Sequence, residues 1–249
     1  NSAMDWQKIT EKMCDFIQEK VKNSQSQGVV LGLSGGIDSA LVATLCKRAL
    51  KENVFALLMP TQISNKANLE DALRLCADLN LEYKIIEIQS ILDAFIKQSE
   101  NTTLVSLGNF AARIRMSLLY DYSALKNSLV IGTSNKSELL LGYGTIYGDL
   151  ACAFNPIGSL YKSEIYALAK YLNLHENFIK KAPSADLWEN QSDEADLGFS
   201  YTKIDEGLKA LETNDEKLLR TLDPSLIAML KNRMQKNAFK GKMPEILEI

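Results

Sequence analysis

Residues 29–39 read VVLGLSGGIDS, an apolar run that breaks into two glycines, an aspartate and a serine. The run predicts a strand buried on both faces, and the break predicts a turn into a helix. Such a turn can receive an anion. Gly35 and Gly36 permit a tight bend, the helix that follows adds the positive end of its dipole, and the Ser34 and Ser39 hydroxyls add donors. No lysine stands where a GxxxxGK phosphate loop would have one, and the pattern is not GxGxxG. Asp38 in such a loop is useful beside phosphate only if a metal accompanies it. A capping aspartate on a glycine-rich turn is the structural reading of the same letters.

Outward from this stretch, GVVLGL (28–33), NVFALLM (53–59), YKIIEI (83–88) and SLVIGT (128–133) are short apolar runs ending in turn signals. They predict parallel strands covered on both faces. Leu41, Leu45 and Ala49 recur at helical spacing after the first run, and Leu69, Leu73 and Cys76 after the second. A longer helix is expected after the third, with Leu107, Ala111, Ile114, Leu118 and Leu125 along one side. Alternating strands and helices imply an α/β fold with a parallel sheet and ligands at the carboxyl ends of its strands. Beyond about residue 150 the pattern predicts extra C-terminal helices and loops.

The chain has 249 residues, 46% apolar, with a net charge of −3. That length suits one α/β domain, and the acidic balance argues against nucleic acid as a partner. No run approaches the roughly 18 apolar residues of a membrane span. No secretory leader is evident, so a cytoplasmic protein without a membrane partner is expected. Asn1, Ser2 and Ala3 precede a methionine and read as an appended scar, leaving a domain over 4–249. The four cysteines form no CxxC pair, and Cys46 and Cys76 fall on apolar helix faces as small core residues. The single histidine, His175, sits in NLHEN as a surface cap.

SGGIDS (34–39) resembles the pyrophosphate loop of the N-type ATP pyrophosphatases, which cleave ATP between its α and β phosphates and transfer AMP to a substrate oxygen. Three further stretches narrow the class. In GNFAARIRMSLLY (108–120), Asn109 and Arg113 share a helix face and Arg115 turns to another. GTSNKSELLLGYGTIYGD (132–149) begins where the fourth strand ends. LYKSEIY (160–166) is followed by the acidic PSADLWENQSDEADLGFSY (183–201). In that order these are similar to the short, ammonia-dependent form of NAD synthetase, over roughly residues 28–205.

The resemblance implies a three-layer α/β/α, Rossmann-like fold of the adenine nucleotide alpha hydrolase kind. It also implies a ligase that adenylates deamido-NAD with ATP and lets ammonia displace AMP, giving NAD, AMP and pyrophosphate. ATP would meet Gly32, Leu33, Ser34, Gly35, Gly36, Ile37, Asp38 and Ser39 of the loop, with Thr133, Lys162 and Ser184. Asp38 and Glu138 would bind Mg²⁺, a hard ion suited to carboxylates and phosphate. Lys162 and Asp149 would be catalytic. Arg113, Asp149 and Lys240 would bind deamido-NAD, with Asp149 near the nicotinate end. In the tail AFKGKMP (238–244), Phe239 stands where the family often has histidine and Lys240 keeps the charge.

A homodimer with the substrate site at the interface is implied as well. No segment is left over for a glutaminase, so free ammonia is the expected donor. The competing readings are another adenylating enzyme of the same superfamily and a nucleotide-binding module without turnover. The acidic character of 186–200 predicts a segment that orders on ligand binding.

Overall fold

The computed structural model describes residues 4–249, and the expected scar at 1–3 lies outside the described residues. α1 (Trp6–Asn23) starts at Asp5, whose carboxylate accepts from the Lys8 N–H. Then come β1 (Gly28–Gly32), α2 (Ile37–Leu50), β2 (Val54–Leu58), α3 (Lys66–Leu79), β3 (Glu82–Ile85), α4 (Gln89–Ile96), α5 (Leu104–Lys126) and β4 (Ser128–Val130). The rest is helical: α6 (Lys136–Leu141), α7 (Lys162–Tyr171), α8 (Glu176–Lys180), α9 (Asp193–Leu197), α10 (Tyr201–Glu212), α11 (Glu216–Leu219) and α12 (Pro224–Asn237). A 3-10 turn at Ala238–Gly241 follows.

The four strands are parallel in the order β3-β2-β1-β4. The chain steps outward from β1 to β2 and β3, then returns to lay β4 against the other side of β1. The loops that leave β1 and β4 therefore diverge, which opens a crevice at the carboxyl edge of the sheet. Alternation along the strands serves both faces. Val29, Leu31, Leu33, Val54, Ala56 and Leu58 join α1, α2, α7 and α8 in the larger core. Val30, Phe55, Leu57 and Met59 turn to the other face, against Ala111 of α5. A separate cluster, with Leu141, Ile204, Leu208, Leu226 and Leu230, unites α6, α10 and α12.

Several expectations are corrected. β3 runs over Glu82–Ile85 rather than 83–88, and all four of its residues are exposed. It is a short edge strand carrying Glu82 and Lys84, a composition that discourages further strand pairing. α4 occupies part of the connection where only one long helix was expected. On α5, Leu125 is 72% exposed rather than part of the buried stripe, because it lies in the last turn of that helix. His175 caps α8 as expected, its Nδ1 accepting from the Asn177 N–H.

Leu31 is fully buried in β1, directly beneath the loop that follows. Leu31→Ala should lower unfolding free energy by about 2–5 kcal/mol through lost burial and a residual cavity. Urea denaturation followed by circular dichroism measures it, and a change below about 1 kcal/mol would contradict this placement of β1.

Candidate active site

The turn between β1 and α2 is built on its own polar groups. The Ser34 N–H donates to Ser39 Oγ at 3.2 Å, and the two hydroxyls lie 3.1 Å apart. The Gly36 N–H donates to Ser34 Oγ at 3.2 Å, while Ser39 Oγ donates to the Gly36 carbonyl at 3.3 Å. Gly36 is the N-cap of α2 and supplies no side-chain cap, so the first N–H groups of that helix face the loop mouth. Gly35 has φ of +85°, and a Cβ placed on it would lie 2.1 Å from the Asn68 carbonyl oxygen. The first turn of α3 thus packs directly on the loop.

Asp38 extends from the first turn of α2 toward α6 and α7. Its Oδ2 lies 2.5 Å from Lys162 Nζ, and its Oδ1 accepts from Asn135 Nδ2 at 3.1 Å. The same Asn135 amide donates to Glu138 Oε1 at 2.6 Å. Asn135 and Glu138 also form a reciprocal capping box at the start of α6, with the Glu138 N–H donating to Asn135 Oδ1 at 2.9 Å. Lys162 is buried at the first residue of α7. Its backbone N–H donates to Ser137 Oγ, and that hydroxyl donates to buried Asp205 of α10 at 2.5 Å. Asp205 also accepts from the Ser163 N–H, so one carboxylate joins the starts of α6 and α7.

The charges here perturb one another. Burial raises the Glu138 carboxyl well above its usual range, with the Asp38 charge adding to it against the pull of Lys162. Burial favours loss of the Lys162 proton, but the Asp38 and Glu138 charges outweigh it and hold the lysine above its ordinary pKa. Asp193 of α9 is raised chiefly by burial, and its Oδ1 is buried with no hydrogen-bond partner. No group of three or more acids, histidines or cysteines among the described residues can hold a metal unaided. Asp38 and Glu138 nevertheless suit Mg²⁺, which commonly takes one or two carboxylates and completes its shell with water and phosphate. The orphaned Asp193 oxygen marks the same region as short of positive partners.

A second group gathers around the segment 142–150. The Thr145 N–H donates to Asp149 Oδ1 at 2.7 Å, Arg113 Nε donates to the Ile146 carbonyl at 3.2 Å, and Thr145 Oγ1 donates to Asn109 Oδ1. Lys240 Nζ, from the C-terminal turn, donates to the Gly142 and Gly144 carbonyls, while neighbouring Phe239 is exposed. Arg113, Asp149 and Lys240 are thus brought together, but apart from Asp38, Glu138 and Lys162. The first group sits at the start of α6, through Asn135 and Glu138, and the second at the segment that leaves its end. Thr133 stands in the loop after β4, at the switch point.

Ser184 is engaged within its own segment, donating to the Gln191 carbonyl and accepting from the Asp186 N–H. The acidic stretch expected to order on ligand binding is folded here. Gln191 reaches Tyr143 and Asp196, and Asp186 accepts from Asn65 and Asn68 of the α3 start.

Asn135, Asp193 and Asp205 were not singled out from the sequence, and Arg115 was noted only as turning away from the face of Arg113. The N-x-x-E spacing of a capping box was an available signal for Asn135. Arg115 Nε donates to the Met59 carbonyl at the end of β2, and its guanidinium feels both Asp186 and Asp149. Its rotation away from Arg113 therefore aims it at the site rather than at solvent. Asp193 lay within the acidic stretch 183–201 that carried part of the resemblance, whereas Asp205 had no local signal.

Comparison with known proteins gives one family. A model of the family described as NAD synthase matches residues 9–244. The NH(3)-dependent NAD(+) synthetase of a Campylobacter jejuni strain is 99% identical over 246 residues, 99% of this chain and all of that protein. The solved NH3-dependent NAD synthetase from Campylobacter jejuni, in complex with nitrate, aligns with TM-score 0.89 and 93% identity over 99% of this chain and 100% of its own. The NMN synthetase from Francisella tularensis aligns with TM-score 0.92 at 33% identity, again over 99% of this chain and 100% of its own.

The two loop glycines should differ sharply on substitution. Gly35→Ala strains a left-handed backbone and meets the Asn68 carbonyl, so it should lower stability by about 1–3 kcal/mol. Gly36→Ala has extended backbone and a nearest built contact of 3.4 Å to Ser34 Oγ, so it should cost far less. Denaturation midpoints of the two variants decide it, and equal losses would contradict the loop geometry.

Proposed function

The chain belongs to the NAD synthase family, and we propose on that premise which of its groups carry each part of the reaction. It is a ligase that makes NAD, with ammonia as nitrogen donor and ATP as a substrate. In the proposed sequence, a carboxylate oxygen of deamido-NAD attacks the α-phosphorus of ATP, the α–β bridging bond breaks, and pyrophosphate leaves. Ammonia then attacks the carbonyl of the mixed anhydride, AMP departs with the bonding pair, and nitrogen loses a proton. The anhydride is needed because a free carboxylate would have to expel oxide.

The observation that carries the assignment is the 2.5 Å pairing of Lys162 with Asp38, one turn beyond the glycine loop at the switch point. A loop of N–H donors beside a buried lysine and two carboxylates suits a leaving pyrophosphate. Gly32 to Ser39 line ATP, with the N–H groups at the start of α2 and the Ser34 and Ser39 hydroxyls turned to its oxygens. Thr133 and Ser184 contact ATP, and Lys162 opposes the charge that grows as the bond breaks. Ser184 does so by exchanging its bond to Gln191. Asp38 and Glu138 would hold Mg²⁺, which would neutralise phosphate charge there. Arg113 and Lys240 bind deamido-NAD, and Asp149 takes the ammonium proton. Residues 4–249 act as one domain, because Asp205 ties the C-terminal helices to the helices that carry Glu138 and Lys162.

We also propose a homodimer. α5 has 23 residues yet buries only Gly108, Ala111 and Ala112. It exposes Leu104, Val105, Tyr120 and Leu125, with Tyr83, Ile85 and Ile91 exposed on β3 and α4. Apolar surface of this extent is what a second copy would cover. No helix among the described residues is long and apolar enough to cross a membrane.

Incubation with Mg-ATP, deamido-NAD and ammonium should give NAD, AMP and pyrophosphate in equal amounts and no ADP. Replacing deamido-NAD by nicotinate mononucleotide should give little turnover. The reverse preference would assign the substrate suggested by the NMN synthetase relative instead. Asp38→Asn and Glu138→Gln should each cost roughly a hundredfold or more in turnover, on the scale of losing one charge-stabilising group. Near-normal rates in either would end its metal assignment. Light scattering should give twice the mass of the chain, and a monomeric mass at assay concentration would remove the dimer.

A further inference from the structure

Lys181 has no part in the roles assigned above, yet it touches the phosphate loop. Its Nζ donates to the Gly35 carbonyl at 2.7 Å and pairs with Asp71 Oδ2 at 2.7 Å. Asp71 is buried on α3, where it also accepts from Asn177 of α8 at 2.9 Å and Arg74 at 3.1 Å. Lys181 is itself the residue that ends α8, two positions before the segment beginning at Pro183. One ammonium therefore joins the loop, α3, α8 and the root of the acidic segment.

The carbonyl and the following N–H of a trans peptide point to opposite sides. With the Gly35 carbonyl turned to Lys181, the Gly36 N–H points to the exposed Ser34 hydroxyl at the loop mouth. This peptide joins two glycines, and Gly35 already sits at positive φ, so little in the chain itself resists a flip. A flipped peptide would present a carbonyl oxygen to an incoming anion in place of a donor. We infer that Lys181 is a positioning residue of the phosphate loop, locking the Gly35–Gly36 peptide so that its N–H faces the pyrophosphate. Asp71 pairs with the same ammonium, which makes its bond to the Gly35 carbonyl separately. Burial pushes the Asp71 carboxyl up, but the Lys181, Asn177 and Arg74 partners outweigh it and hold it below its usual range.

The inference rests on the loop being the pyrophosphate site, and the test separates the two. In the full-length enzyme, the inhibition constant for added pyrophosphate is measured in the parent, Lys181→Met, Lys181→Arg and Asp71→Asn, with the melting temperature of each. Lys181→Met should weaken pyrophosphate by about tenfold or more, as for one misdirected hydrogen bond to a charged group. Its KM for ATP should rise too, and Lys181→Arg should recover part of both. Asp71→Asn keeps the lysine on the carbonyl, so it should lower the melting temperature while pyrophosphate inhibition stays within about threefold of the parent. Lys181→Met with parental inhibition overturns the inference, as does Asp71→Asn weakening pyrophosphate equally. A parent enzyme that pyrophosphate does not inhibit overturns the loop reading, and the inference with it.

Discussion

A lysine ammonium buried among carboxylates is the interaction on which the site depends. Lys162 is only 3% exposed, and burying a charge is unfavourable unless it is paired and hydrogen-bonded. Its pairing with Asp38 fixes α7 against the first turn of α2, and its backbone N–H fixes the same residue against α6. Three acids, Asp38, Glu138 and Asp193, bear on this single cation. Burial raises the Glu138 and Asp193 carboxyls toward their neutral forms, so the pairing of Lys162 with Asp38 is the charge balance on which the region rests.

The topology explains why these residues meet. Asp38 follows β1 and Glu138 follows β4, neighbours in the sheet though far apart in the chain. Because the crossover direction reverses between them, their loops part and leave room that adjacent loops elsewhere would fill. The C-terminal helices then act as a clamp on this edge. Asp205 binds Ser137 and Ser163, and Lys240 binds the carbonyls of Gly142 and Gly144. Their own apolar cluster supports them without entering the sheet core.

The central strands were legible because they are buried on both faces and so read as unbroken apolar runs, Val29 to Leu33 above all. The glycine loop was legible because the positive φ and the close Asn68 carbonyl at position 35 admit only glycine without strain. β3 misled because its Tyr83 and Ile85 favour a strand while saying nothing of the edge position that exposes them. Leu125 followed the helical period but lies in the last turn of α5, and a period carries no information about where cover ends. Lys162 was reached through a family motif alone, since its partner lies 124 positions away. Lys181 and Asp205 act only through contacts of that kind, and no local pattern announces them.

The acidic segment between Pro183 and Gly198 is held mainly by itself. Ser184 and Gln191 bond to one another's backbone and neighbours, and the Ser192 hydroxyl caps α9. Its ties outward run from Asp186 to the start of α3, from Gln191 and Asp196 to Tyr143, and through buried Leu197 into the cluster of α6, α10 and α12. A loop that must order residue by residue gives up roughly 1–2 kcal/mol of backbone entropy at each. Here that entropy is offset from within, by the segment's own bonds, and from below, by Leu197 buried in the cluster of α6, α10 and α12.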